Sequence, residues 1–191
     1  YSGLTHPAVI QHLVDLGVGT VWLSPFFDSP QADFGYDISD YCGVAPEYGS
    51  VDDAQRLIDI TEECFWRSAR QCVAGNRLGD VGYACQEYAE SNGCGVIRDL
   101  TGHGIGREMH EDPPVYNYGI PGKGLRLRAG MTIAIAPMIS AGDWRVTCDA
   151  DQWTYRTRDR SLCSHYEHTL AINEEGLPEV LTFPGFEWED A

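Results

Sequence analysis

From Ser50 onward the chain carries the pattern that most restricts its fold. Ala54, Leu57, Ile58, Cys64, Phe65, Ala69 and Cys72 recur at mixed three- and four-residue spacing. That spacing lines apolar side chains along one stripe of an α-helix. Ser50 with Asp53 three residues on reads as a capping-box start. The pattern predicts about five turns, stopped near Gly75-Asn76. A second helix is expected over roughly Leu78 to Ser91, with Val81, Ala84, Cys85 and Tyr88 inward and Asn92-Gly93 as its stop. Two such stripes must be buried against another layer. The strand candidates that follow supply it: "GVIRDL", "MTIAIAPMI", "DWRVTCDADQWTYRTR" and "YEHTLAIN". Asp149-Ala150-Asp151 looks like a hairpin turn. The order predicts an α/β, more narrowly α+β, fold: a mixed, largely antiparallel sheet covered by two helices.

The residues before Ser50 read differently. Val9, Ile10, Leu13, Val14 and Leu16 follow helical spacing, and Gly17 and Gly19 stop them. "TVWLSPFF" is a short apolar run rich in strand formers, ended by Pro25 and the Asp28-Ser29-Pro30 turn. "DFGYDISDYCGVAPEYGS" reads as an irregular loop. Helix, glycine turn and buried strand suggest a piece of a βα unit. The chain opens mid-pattern at "YSGLTHPAVI" and reads as a fragment.

A net charge of −16 argues against nucleic acid and anionic membranes as partners, because phosphate binding needs clustered Lys and Arg. There is no signal peptide and no run of about 18 apolar residues. The seven cysteines are odd in number and show no CxxC spacing. Cys64, Cys72 and Cys85 fall on the apolar helix faces. They are expected as buried free thiols in a reducing compartment, the cytoplasm.

"TGHGIGREMHEDP" is where chemistry concentrates. Imidazole suits divalent zinc, cobalt, iron, manganese or nickel. The glycines beside His103 allow close backbone approach and leave its ring unshielded. His110, Glu111 and Asp112 follow, and "EHT" adds Glu167 and His168 on a predicted strand. Strand neighbours point to opposite faces, so only one of that pair can face a given site. Taken alone, the residues leave a His/Glu metal site and a purely structural role both open.

From about Ala54 to Phe183 the chain resembles the C-terminal two-thirds of a type I methionine aminopeptidase, a pita-bread-fold metallopeptidase. The matching pieces are "AQRLIDITEE", "AGNRLGDVGYACQEYAESNG", "GHGIGREMHEDPPVYNYG", "GMTIAIAPM", "DQWTYRTRDRSLCSHYEHTLAI" and "EVLT". The resemblance implies a partial pita-bread fold, a divalent metal cofactor (Co, Mn, Fe or Zn) and N-terminal Met peptides as substrates. It makes His103 a metal ligand and Glu167 a bridging one. His110 becomes the catalytic histidine that contacts substrate and helps stabilise the tetrahedral intermediate, and Trp153 lies near the substrate's first side chain. The remaining Glu ligand of the family falls on Ala136, which has no donor atom. The family's two Asp ligands, about eleven residues apart and followed by "SR", have no counterpart here, nor has its upstream substrate-binding histidine. Asp28 and Asp40, twelve apart, are surrogate ligands at best. Impaired or absent activity is therefore expected. The alternative is a catalytically dead peptide-binding module or a chain with no native function.

The first fifty residues resemble another family, the early barrel of a family-13 glycoside hydrolase of the α-glucosidase or trehalose-synthase type. "LGVGTVWLSPFFDSP" fits its second strand and loop, and "DFGYDISDY" fits the loop that supplies Tyr36 and Asp37 to a sugar site. The paired carboxylates of glycoside hydrolysis lie well downstream in such enzymes, and nothing after Val51 carries them. Glycosidase activity is not expected. The two resemblances imply a chimera: residues 1–50 a glycoside-hydrolase-like fragment, residues 51–191 an aminopeptidase-like domain. The sheet edge left by the missing first half suggests a dimer.

Overall fold

The computed structural model describes residues 50–183 and 185–188, with Gln11 and the strand residues Phe27–Asp28 and Asp40–Val44 ahead of them. The apolar runs expected over Val9–Leu16 and Thr20–Phe26, and the sugar-site candidates Tyr36 and Asp37, lie outside the described residues.

Helix α1 runs from Val51 to Arg70, and Ser50 caps it as its sequence predicts. The Ser50 hydroxyl accepts from the Asp53 N–H at 3.1 Å, and the Asp53 carboxylate accepts from the Ser50 N–H at 3.0 Å. Its buried stripe is Leu57, Ile60, Thr61, Cys64, Phe65, Ser68 and Ala69. Helix α2, Leu78–Ser91, buries Val81, Gly82, Cys85 and Ala89. Asp80 fastens its start, accepting from the N–H groups of Arg77 at 2.8 Å and Gly122 at 2.6 Å.

Twelve strands are described: β1 Phe27–Asp28, β2 Asp40–Val44, β3 Gly95–Val96, β4 Gly102–Gly104, β5 Glu111–Val115, β6 Thr132–Ile135, β7 Met138–Ser140, β8 Val146–Cys148, β9 Tyr155–Thr157, β10 Cys163–His165, β11 His168–Ile172 and β12 Pro178–Val180. Five form one sheet in the order β12-β11-β6-β4-β5, three form another in the order β10-β7-β3, and β1-β2 and β8-β9 are two-stranded sheets. Every described pairing is antiparallel.

The run "MTIAIAPMI" is not one strand. Pro137 has no N–H to give to the ladder, and the strand breaks there into β6 and β7. The pairing offset nevertheless continues across the break, with His168 opposite Ile135 and His165 opposite Met138. The two larger sheets thus keep one register across a seam at Ala136-Pro137 and Tyr166-Glu167. The stretch expected as an irregular loop contains β2, which pairs back onto β1 with Val44 opposite Phe27 and Asp40 opposite Asp28.

Alternation along the ladder separates two faces. Ile133, Ile135, Leu170 and Ile172 turn toward the helices and form one core with Phe65, Ala69, Cys72, Val81, Val115 and Leu127. Leu57, Ile60, Cys64, Cys85, Ala89, Val96 and Ile139 form a second core under the N-terminal half of α1. The opposite face carries Ala134, Ala136, Glu167 and Thr169.

Candidate metal centre

His103 sits in the middle of β4, opposite Ala134 of β6 and Pro114 of β5. It therefore shares the face turned away from the helices. Its glycine neighbours allow that closeness. A Cβ on Gly102 would lie 2.2 Å from the Ala134 carbonyl oxygen, and one on Gly104 would lie 2.3 Å from that of Asp112. Only hydrogen fits at either place.

Glu167 lies at the seam, one residue before β11 rather than within a strand. Continuing the ladder offset puts it opposite Ala136. His168 turns to the helix face and packs its ring on Phe65, Tyr166 and Phe183. Of the "EHT" pair only Glu167 faces the site, as strand alternation requires.

The His103 Nε2 atom is 3.9 Å from Glu167 Oε1. Its Nδ1 is 2.8 Å from the Gly104 carbonyl oxygen. A carbonyl only accepts, so Nδ1 carries the hydrogen, and in the neutral ring Nε2 holds a lone pair. A lone pair and a carboxylate oxygen then face each other, too far apart for a hydrogen bond and both acceptors. A proton on Nε2, which makes the contact an ion pair, or a cation between the two atoms satisfies both. Backbone fixing of the distal nitrogen is also how metal-bound imidazoles are held. In kind and orientation these two donors fit a divalent ion.

The His110 ring packs against that of His103, with centroids 4.3 Å apart and planes at 61°. Ala136 is buried, 3% exposed, with Ile97 and Met138 around it. Asn117 donates to its carbonyl oxygen at 2.7 Å. No donor atom reaches the site from that position. Glu111 is occupied in its own turn, accepting from the Glu108 N–H at 2.9 Å. Trp153 stands 85% exposed in the β8–β9 turn. Asp28 and Asp40 are register partners across β1 and β2, and their side chains lie outside the described residues. Among the described residues no group of three His, Cys, Asp or Glu side chains is arranged to hold a metal ion.

One participant was not marked by the sequence reading. His165 Nε2 is 3.3 Å from Glu167 Oε2. The hydrogen bond from His165 is the main reason the Glu167 carboxyl is held below its usual range; burial opposes it, and the positive potential of His103 and His110 adds to it. The signal was available in "SHYEHT", because residues two apart on an extended strand share a face.

Residues 31–174 match the model of metallopeptidase family M24. The chain belongs to metallopeptidase family M24. Within the family's reach, a methionine aminopeptidase of Clostridium acetobutylicum is 45% identical over 159 residues, covering 81% of this chain and 63% of that protein. The crystal structure of the Thermotoga maritima methionine aminopeptidase superposes with a TM-score of 0.67 at 49% identity, over 70% of this chain and 53% of its own. The Rickettsia prowazekii enzyme gives 0.67 at 40%, over 70% and 54%. The pita-bread architecture expected from the motifs is thus the one found. The chain spans less than two thirds of the length of each of these proteins. Family membership implies a divalent metal cofactor.

Proposed function

We propose that the chain is a methionine-aminopeptidase-type hydrolase acting on peptides with an N-terminal methionine, and that its activity is impaired. The observation that carries this is His103 Nε2 at 3.9 Å from Glu167 Oε1, with Ala136 at the place the register across the seam sets against Glu167. In this reading Ala136 stands where the family's remaining carboxylate ligand would be.

In this reading His103 Nε2 and Glu167 hold a divalent ion, Co, Mn, Fe or Zn. Such an ion supplies Lewis acidity and lowers the pKa of water. His110, exposed and against His103, contacts the substrate beside the scissile bond. Trp153 lines the substrate's side-chain site. Asp28 and Asp40, opposite each other on β1 and β2, are the surrogate carboxylates. Their pairing supports that role, since the family's own Asp pair needs neighbouring strands.

The two-part reading, residues 1–50 and 51–191 as a chimera, belongs to the same proposal, as does a cytoplasmic location. The free thiols of Cys64, Cys72, Cys85, Cys94, Cys148 and Cys163 support the latter. A dimer through a sheet edge is less favoured at β5 and β12, where Pro113, Pro114 and Pro178 cannot donate to a ladder.

Hydrolysis of a Met-Ala-Ser peptide, with cobalt, manganese, zinc or iron supplied, tests the function. The chain is expected to turn over near background, and Ala136→Glu to raise the rate on the order of 100-fold or more. Full turnover by the unmodified chain would refute the impairment. No gain from Ala136→Glu would move the main defect to the aspartate pair.

A further inference from the structure

We propose that Asn117 is a positioning residue of the candidate site. Its side-chain amide fixes the backbone at Ala136 and, through it, the approach of His103 to Glu167. The inference rests on the reading of this face as the site, and it names a residue outside the strands that it aligns.

The Asn117 side chain is buried, 2% exposed, and its Nδ2 donates to the Ala136 carbonyl oxygen at 2.7 Å. That oxygen stands where a strand partner is missing. His103 pairs with Ala134, so the same register sets Thr101 against Ala136, but β4 begins only at Gly102. On the β3 side bonding resumes at Ile97, whose N–H donates to the Met138 oxygen at 3.0 Å. Among the described residues no backbone N–H bonds the Ala136 oxygen. A buried carbonyl left without a donor is costly, and the Asn117 amide supplies the donor that the ladder does not.

Asn117 is itself held from helix α2. It follows β5 by two residues, and Val115, the last of that strand, lies opposite Gly102. The backbone of residues 116–118 then rests on Gly82. A Cβ there would stand 2.5 Å from the Tyr116 carbonyl oxygen and closer still to that of Tyr118. The Gly119 N–H adds a tie to the same helix, donating to the Gln86 side-chain oxygen at 3.3 Å. Ala136 in turn touches both parts of the site. A Cβ on Gly102, the residue before His103, would lie 3.3 Å from the Ala136 nitrogen. On the other side, the register across the seam sets Ala136 against Glu167. A shift of the backbone at 136 therefore moves His103 relative to Glu167, and the 3.9 Å between them depends on where Asn117 holds it.

The test is NMR of the full metal-free chain, with the ring resonances of its six histidines assigned with the help of His103→Gln and His110→Gln. Asn117→Ala removes the amide, and Asn117→Leu removes it while filling its space. Both should shift the His103 and His110 ring resonances and the Glu167 amide, and lower the urea midpoint. Ser68→Ala is the control. The Ser68 hydroxyl donates to the Val81 carbonyl oxygen at 3.0 Å, an equally buried bond between the two helices. Its loss should lower the urea midpoint comparably and leave the His103, His110 and Glu167 resonances in place. Site resonances unmoved in a folded Asn117 variant overturn the proposal. So do site resonances that Ser68→Ala moves as far, and a failure of both Asn117 variants to fold, which would make the residue merely structural. Hydrolysis is read separately. Shifted site resonances in a chain that cleaves no Met-Ala-Ser peptide refute only the peptidase reading. Cleavage by a chain whose site resonances ignore Asn117 refutes only this inference.

Discussion

Gly102 and Gly104 decide whether His103 can stand where it does. Each lies against backbone of a neighbouring strand, at 2.2 Å from Ala134 and 2.3 Å from Asp112 for a built Cβ, and backbone has no rotamer to give. Gly102→Ala must push β4 from β6. It is expected to cost about 1–3 kcal/mol, the range for overpacked interiors, and to weaken metal binding with it. Urea unfolding measures the first; a loss below about 0.5 kcal/mol would show that the strands yield instead. At this scale much was legible in the sequence. The glycines flanking His103 announced close approach, and Glu167 against His168 could be divided by alternation alone. What was hidden is what depends on partners far along the chain. The hydrogen on His103 Nδ1 is set by a carbonyl, and the nearness of His103 to Glu167 follows from strand pairing that no local pattern reveals.

Elements were legible in proportion to their length. Helix α1 has 20 residues, a cap and a stripe, and helix α2 falls on its expected span. The strands β4 and β10 have three residues each, and β4 is two-thirds glycine, so neither shows a period. The β8–β9 hairpin was legible through its turn. There the Asp151 carboxylate accepts from the Thr154 hydroxyl at 2.6 Å, the Thr154 N–H at 2.9 Å and the Trp153 N–H at 3.0 Å. Hydrogen bonds from Thr154, then that from Trp153, hold its pKa at about 2, below the ordinary 3.8. A depressed carboxyl pKa stabilises the folded form above the ordinary value and loses that effect as pH falls through the lowered one. The Thr154 amide resonance should therefore hold its position from neutral pH down to about pH 3 and move as pH falls through about 2. Asp151→Asn should abolish that titration; a midpoint near 4 in the parent chain would contradict the turn geometry.

For the molecule as a whole, the layered arrangement of helices on sheet followed from two stripes needing cover, whereas the seam did not, because a ladder that continues across a proline break reads in sequence as two unrelated runs. The core predicts the chemistry of the thiols. Burial pushes Cys72 up to about 12, and Cys85 is raised by its contact with Cys64 and by burial, while Cys148 is exposed. Only the thiolate reacts. At pH 8 a disulfide reagent should label Cys148 at once, and Cys72 and Cys85 only as fast as the protein unfolds; equal rates for Cys72 and Cys148 in the native protein would refute the packing. The two faces of the central ladder also have an evolutionary consequence. On β6 and β11 alternate residues answer to different demands: Ile133, Ile135, Leu170 and Ile172 hold the helices down, and the residues between them turn to the opposite face, where His103 lies. Selection on folding and selection on chemistry thus act on interleaved positions of one backbone, and a change in one set leaves the other nearly untouched. A chain can therefore carry a different residue in one set, as at Ala136, while the set that holds its scaffold stays intact.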